Sequence, residues 1–262
     1  MLIKTAGLRL NVVDEGPRDA PVVMLSHSLG ANHSMWAPQA AALTAEFRVI
    51  RYDTRGHGLS DAPEGPYSLA ELGGDVVALL DTLDIERVHF VGLSLGGMTA
   101  LGLALEHRAR IASICAANCT AQTPDGGAAM WDERIAVARS EGMAALVEAT
   151  LARWFTADML ATRQHEVAPV REMIRGTPVA GYSGCCAALK TLAYRDRLDG
   201  LCVPALFIAG AQDPSVPLAA MRDMYGRVAG SRYVELVAAH LSNLECAAAF
   251  NAALLEFLRA QP

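Results

Sequence analysis

Ser94 stands in Gly92-Leu93-Ser94-Leu95-Gly96, after the β-forming run Val88-His89-Phe90-Val91 and ahead of the helix-forming run that starts at Met98. A serine raised on a sharp strand-to-helix turn of the G-x-S-x-G type is placed as a nucleophile. The glycines answer a steric demand, because neighbouring backbones in so tight a turn leave no room for Cβ atoms. The turn also sets the N–H groups after the serine at a helix N-terminus, where negative charge is favoured. The predicted chemistry is acyl transfer, with Ser94 attacking.

A serine hydroxyl is a weak nucleophile and needs a base, itself oriented by a third group. For an elbow serine the chain order is serine, acid, histidine. Beyond Ser94 lie His107, His165 and His240. His107 falls at the end of the elbow's helix, where it is expected to complement the helix dipole. His165 falls in a helix-rich middle segment. His240 follows the last strand-like run in Ala238-Ala239-His240-Leu241-Ser242-Asn243, where a loop brings an imidazole over a sheet's C-terminal edge. It is the predicted base. The predicted acid is Asp213, in the loop after Val203–Gly210. The slot after the preceding strand holds Asn118, and no carboxylate follows until Asp125. Asp53 precedes the serine and is expected to organise its own loop with Arg55 and His57. An oxyanion hole needs two N–H donors aimed where charge develops. Leu95, after the nucleophile, and Leu29, in His27-Ser28-Leu29-Gly30, are the predicted donors.

These residues require strands that end beneath them. Pro21–His27, Phe47–Asp53, the Val88 run and Ile111–Asn118 read as buried strands. Helical stretches separate them, one starting near Pro38, one over Leu69–Ile85 and one from Met98. That alternation predicts a mostly parallel sheet with helices on both faces. After Asn118 the pattern changes. Residues 120–197 are helix-rich, hold Trp131 and Trp154, and carry nine Lys/Arg against nine Asp/Glu. Strands resume at Val203–Gly210 and Arg232–Val237, and a helix over Leu244–Arg259 closes the chain. The predicted organisation is a core of residues 1–119 and 198–262 with a helical cap, 120–197, inserted into it.

The bulk composition narrows the function classes. With 52% hydrophobic residues in 262, a large core is available and disorder is excluded. A net charge of −6 argues against a nucleic-acid groove or an anionic membrane surface, and since residues 120–197 are neutral the whole excess lies outside them. No signal core or membrane-length apolar run occurs, so a cytoplasmic protein is expected. The six cysteines suit neither a disulfide framework nor a zinc site and are expected to be small buried apolar residues. No metal-ligand spacing and no phosphate-cradling glycine loop is present, so no metal and no cofactor are expected.

The set His27-Ser28-Leu29-Gly30, Asp53-Thr54-Arg55-Gly56-His57-Gly58, Pro63–Leu69, the Ser94 elbow, Arg153–Thr156, Gly181–Leu189 and His240–Asn243 resembles the 3-oxoadipate enol-lactonases of the α/β-hydrolase superfamily. The resemblance runs over nearly the whole chain. It implies an α/β-hydrolase fold with an eight-stranded sheet, an inserted helical cap, and a triad that lands on Ser94, Asp213 and His240. The implied reaction opens a small enol-lactone to a keto-dicarboxylate. A short-chain esterase, another lactonase or a carbon–carbon hydrolase would use the same triad, and a ligand-binding relative would keep it without turnover. The chain departs from the family at His27, where the family has Asn, and over Lys190–Arg195, where two acidic residues are lost. An enol-lactone bearing a carboxylate requires a local cation. The neutral segment offers Arg134 beside Trp131, Arg153 beside Trp154, and Lys190.

Overall fold

The alternating runs assemble into one eight-stranded sheet, seen in a computed structural model that describes residues 1–5 and 7–261. The strands are β1 (Leu2–Lys4), β2 (Arg9–Glu15), β3 (Val22–Ser26), β4 (Arg48–Tyr52), β5 (Val88–Leu93), β6 (Ile111–Ala117), β7 (Ala205–Gly210) and β8 (Arg232–Leu236), in the order β1-β2-β4-β3-β5-β6-β7-β8. From β4 to β8 every pairing is parallel. Such strands are covered on both faces and hence read as continuous apolar runs. All six residues of β5 and all six of β7 are buried. The antiparallel β1–β2 edge was not anticipated from sequence. Its sequence Arg-Leu-Asn-Val-Val-Asp-Glu holds no sustained apolar run and alternates only over its first four residues, so neither strand signal is strong, although Leu10, Asn11 and Val12 are all buried.

The helices are α1 (Ala37–Leu43), α2 (Leu69–Thr82), α3 (Leu95–Glu106), α4 (Gly127–Glu141), α5 (Val147–Trp154), α6 (Ala157–Thr162), α7 (Gln164–Gly176), α8 (Val179–Lys190), α9 (Leu218–Arg227), α10 (Ser242–Glu245) and α11 (Ala247–Arg259). A capping box starts α2, with Ser68 and Glu71 each satisfying the other's backbone N–H. The closing helix divides at Cys246 into α10 and α11 instead of running unbroken. α9 went unread in the sequence.

Helices α4 to α8 lie between β6 and β7, and a bridge between Gln122 and Ala193 draws together the two ends of this insertion. Glycines form the seam with the rest of the molecule. A Cβ on Gly56 would lie 2.2 Å from the Cα of Gly181, and one on Gly65 would lie 2.7 Å from that of Gly184. Backbone rests on backbone there, so the Gly181-Tyr182-Ser183-Gly184 pattern is a packing surface for the Gly56 and Gly65 loops.

The cysteines depart from the uniform expectation. Cys115, Cys119, Cys185 and Cys186 are buried thiols, but Cys202 is exposed and Cys246 partly so. Burial pushes the Cys119 thiol up to about 12. Among the described residues no helix is long and apolar enough to cross a membrane.

Candidate active site

Five strand ends converge on one place. Ser26 ends β3 and leads to Leu29, Leu93 ends β5 beside Ser94, Ala117 ends β6 before Asn118, Gly210 ends β7 ahead of Asp213, and Leu236 ends β8 ahead of His240. Side chains at the carboxyl edge of a parallel sheet face the crevice where α/β proteins bind ligands. The ladder continues past the strands: Ser94 N–H donates to Ala117 O (2.9 Å), and Asn118 N–H to Ile208 O (2.9 Å).

Ser94 has φ 56° and ψ −113°, a left-handed region where a non-glycine residue is strained. Its neighbours make that conformation reachable. A Cβ on Gly92 would sit 2.0 Å from Gly96 O, and one on Gly96 would sit 2.1 Å from Ser26 O. The elbow therefore exists only with glycine at both positions.

The Asp213 and His240 side chains are joined by a 2.7 Å hydrogen bond from Nδ1 to Oδ2, with exposures of 0% and 5%. Asn118, at φ 44°, donates through Nδ2 to the same Oδ2 at 3.0 Å and accepts from Ser242 Oγ at 2.6 Å. The other carboxylate oxygen accepts from the N–H of Ser215 (2.7 Å) and Val216 (3.2 Å). Burial works to raise the Asp213 carboxyl, but His240, Asn118 and Ser215 outweigh it and hold the group below the ordinary carboxylate range. Asp213 stays ionised and imposes the Nδ1–H tautomer on His240, which leaves Nε2 free to accept a proton. Ser94 and His240 line one cavity of about 440 Å³. No hydrogen bond joins Ser94 Oγ to His240 among the described residues, where the imidazole is bonded through Nδ1 to Asp213.

Around the Leu29 loop, the N–H groups of Ser28, Gly30 and Ala31 are occupied by Met35 Sδ, His57 Nε2 and Ser28 O. Among the described residues the N–H groups of Leu29 and Leu95 have no internal acceptor. His57 is buried and accepts from Gly30, and burial followed by the charge of His27 lowers its pKa to about 3. It remains neutral, as that hydrogen bond requires.

A family model for the α/β-hydrolase fold matches residues 21–245. The chain belongs to the α/β-hydrolase family. Over 247 residues this hydrolase is 38% identical to 3-oxoadipate enol-lactonase 1 of Acinetobacter baylyi, covering 94% of this chain and 91% of that one. It is 33% identical over 251 residues to a putative carbamate hydrolase RutD of a Caulobacter species, covering 94% of each chain. The crystal structure of the enol-lactonase from Burkholderia xenovorans LB400 superposes with a TM-score of 0.95 at 43% identity, covering 99% of this chain and 100% of that one.

The remaining predicted residues of this α/β-hydrolase divide into two groups. Trp131, Arg134, Trp154 and Arg153 line the cavity with Ser94 and His240. The Arg134 guanidinium lies 4.8 Å from the centre of the Trp131 ring, and the Trp154 ring lies 6.4 Å from the imidazole of His240 at 27°. Arg153 donates to Thr150 Oγ1 at 3.2 Å, and burial together with the nearby charge of Arg134 lowers its pKa. Neither arginine is paired with a carboxylate among the described residues. Lys190 is different. It is ion-paired with Asp132 at 2.6 Å and does not line the cavity, so it is no part of the pocket. At the end of α8 it faces outward toward α4, where the acidic partner neutralises it.

Asp53 does organise its loop, but with other partners than Arg55 and His57. It accepts from His33 (2.8 Å from N, 2.7 Å from Nδ1), from Asn11 Nδ2 (2.9 Å) and from Leu59 N (3.0 Å). Arg55 pairs with Asp75 at 2.5 Å. His107 caps α3, and His165 is exposed on α7. Two residues escaped the sequence reading: Asn118, set aside there because it is not an acid, and Ser242. Their signal was proximity in sequence to a strand end and to His240. Among the described residues no cluster of three or more His, Cys, Asp or Glu is arranged to hold a metal.

Proposed function

We propose that this hydrolase opens a small enol-lactone carrying a carboxylate, in the manner of a 3-oxoadipate enol-lactonase, with Ser94, His240 and Asp213 as its triad. One observation carries the substrate: two arginines that have no carboxylate partner among the described residues, Arg134 and Arg153, line the same cavity as Ser94 and His240. A partly desolvated cation beside an acyl-transfer centre favours an anionic ester, and each charge-assisted hydrogen bond contributes about 1.5–3 kcal/mol. The likeness to the Acinetobacter and Burkholderia enol-lactonases supports the same choice.

Ser94 Oγ attacks the lactone carbonyl while His240 Nε2 takes its proton. The oxyanion receives the N–H groups of Leu29 and Leu95. The ring C–O bond then breaks, and the enol oxygen leaves with the electron pair, tautomerising to a ketone as His240 returns the proton. An enolate leaves more readily than an alkoxide, so less acid assistance is needed than for a simple ester. Water, deprotonated by His240, attacks the acyl carbon; the Ser94 Oγ–acyl bond breaks, His240 Nε2 returns the proton to Oγ, and the acid is freed. Residues 120–197 act as the cap over the core of 1–119 and 198–262, carrying Trp131, Arg134, Arg153 and Trp154 to the pocket. No cofactor takes part. Free buried thiols favour a reducing compartment, the cytoplasm.

The test compares Arg134→Met, Arg153→Met and Lys190→Met on the anionic lactone and on a neutral chromogenic ester. At least one of the two arginine variants raises KM for the lactone about ten- to a hundred-fold and leaves the ester nearly unchanged. Lys190→Met matches the wild type on both. Equal losses on both substrates, or a wild-type preference for neutral esters, replaces the lactonase by a general esterase. Absence of turnover on either substrate leaves a binding protein.

A further inference from the structure

Both N–H groups flanking His240 are held by groups that face the inserted helices. Leu241 N–H donates to the carbonyl of Trp154 at 3.0 Å. Ala239 N–H donates to Glu245 Oε2 at 2.8 Å. The other oxygen of that carboxylate accepts from Thr156, from its N–H at 3.2 Å and from its Oγ1. Thr156 stands two residues after Trp154 and is the N-cap of α6, where its Oγ1 accepts from Met159 N–H at 3.3 Å. Arg163, just past α6, adds a 2.8 Å hydrogen bond to the carbonyl of Glu245. One carboxylate thus has an oxygen on each side of the seam between the inserted helices and the loop that carries the imidazole.

The acyl-transfer steps make no use of Glu245, and it has no contact with the cavity. Its chemistry is nonetheless specific. Donors approach from two directions, which the two oxygens of a carboxylate satisfy and a side chain with a single acceptor oxygen does not. Displacing a catalytic group by about 1 Å through a remote change costs on the order of 10²-fold in rate. Resting on the reading of His240 as the base, we propose that Glu245 is a positioning residue. It fixes the backbone beside His240 and ties it to the Trp154–Thr156 segment, so the wall of the pocket and the imidazole keep one geometry. The Leu241 N–H bond to the Trp154 carbonyl does not involve Glu245 and still holds the pocket wall when the carboxylate is lost, whereas the Ala239 N–H beside the imidazole loses its acceptor and lets the imidazole wander from Ser94. The effect therefore falls on kcat and not on KM.

The experiment uses full-length Glu245→Ala, Glu245→Gln and Thr156→Val, with His240→Ala alongside. Steady-state constants on a neutral chromogenic ester, the second-order rate of inactivation by a serine-directed phosphonate, and Tm are measured for each. Glu245→Ala lowers kcat about 10- to 100-fold with KM within about twofold, and phosphonate inactivation slows by the same factor. Both readouts need His240 to take the Ser94 proton, and a purely structural tie would shift Tm without moving either at temperatures well below it. Glu245→Gln keeps one acceptor and loses about 3- to 10-fold; Thr156→Val keeps the Thr156 N–H and loses about threefold or less. If Glu245→Ala does not fold, Glu245→Gln decides. A folded Glu245 variant with kcat and inactivation rate within twofold of the wild type overturns the proposal, as does an effect confined to KM. An active His240→Ala overturns the reading of the base itself, a separate result.

Discussion

Asp213→Asn replaces one carboxylate oxygen by an amide nitrogen and keeps the shape of the side chain. Oδ1 accepts from the N–H groups of Ser215 (2.7 Å) and Val216 (3.2 Å), while Oδ2 faces His240 Nδ1 at 2.7 Å and Asn118 Nδ2 at 3.0 Å. Donors stand on both sides, and an amide has only one acceptor oxygen. Two backbone N–H groups cannot turn away, so the amide oxygen stays with them and the NH₂ is set against His240. Nδ1 must then accept, the imidazole proton moves to Nε2, and no lone pair remains to take the Ser94 proton. A wrong-tautomer defect of this kind lowers kcat by about 10⁴, equivalent to about 5 kcal/mol of transition-state stabilisation. KM stays within about threefold, because Asp213 does not touch the substrate. The assay is steady-state hydrolysis of the lactone and of a neutral ester, with Tm measured to show that the variant is folded. The reasoning is refuted by a folded Asp213→Asn enzyme within tenfold of wild-type kcat. It is equally refuted if Asp53→Asn or Asp125→Asn costs more activity.

Acid stability reports on the buried imidazoles. His57 and His27 have pKa values lowered by burial, so the stability each contributes is present in full above the unfolded value of 6.5 and is lost as pH falls toward the folded value, about 3 for His57. Urea unfolding followed from pH 7 to 4 therefore shows a decline in the wild type that is shallower in His57→Gln by up to about 1.4 kcal/mol per pH unit, the difference reaching that size only below about pH 5.5; equal slopes would discard the assignment. Gly181→Ala forces a methyl group onto the Gly56 backbone and destabilises by about 1–3 kcal/mol, read as a fall in Tm, whereas Gly176→Ala, where a Cβ would meet nothing within 4 Å, does not. Under native conditions iodoacetamide labels Cys202 first and Cys246 slowly, and reaches Cys115, Cys119, Cys185 and Cys186 only after unfolding; rapid native labelling of Cys185 would contradict the packing.

The sequence by itself determined what local sterics and periodicity dictate. Gly92 and Gly96 are demanded by the turn within a few residues of Ser94, and each parallel strand is buried on both faces, so each reads as an apolar run ended by a loop residue. Counting those runs was enough to set Ser94, Asp213 and His240 at the ends of β5, β7 and β8. Tertiary structure decided which polar groups meet. Asn118 holds Asp213 across 95 positions, and Ser242 reaches Asn118 across 124, distances over which no pattern in the chain carries information. Lys190 and Arg153 looked alike as cations in a neutral segment. Only packing gives the first an Asp132 partner in solvent and turns the second into a cavity wall beside Arg134. Asp53 and Arg55, neighbours in one loop, find separate partners in Asn11 and Asp75 for the same reason. A side chain's chemistry is intrinsic to its type, but its charge, its tautomer and its availability depend on what three-dimensional packing places within about 3 Å of it.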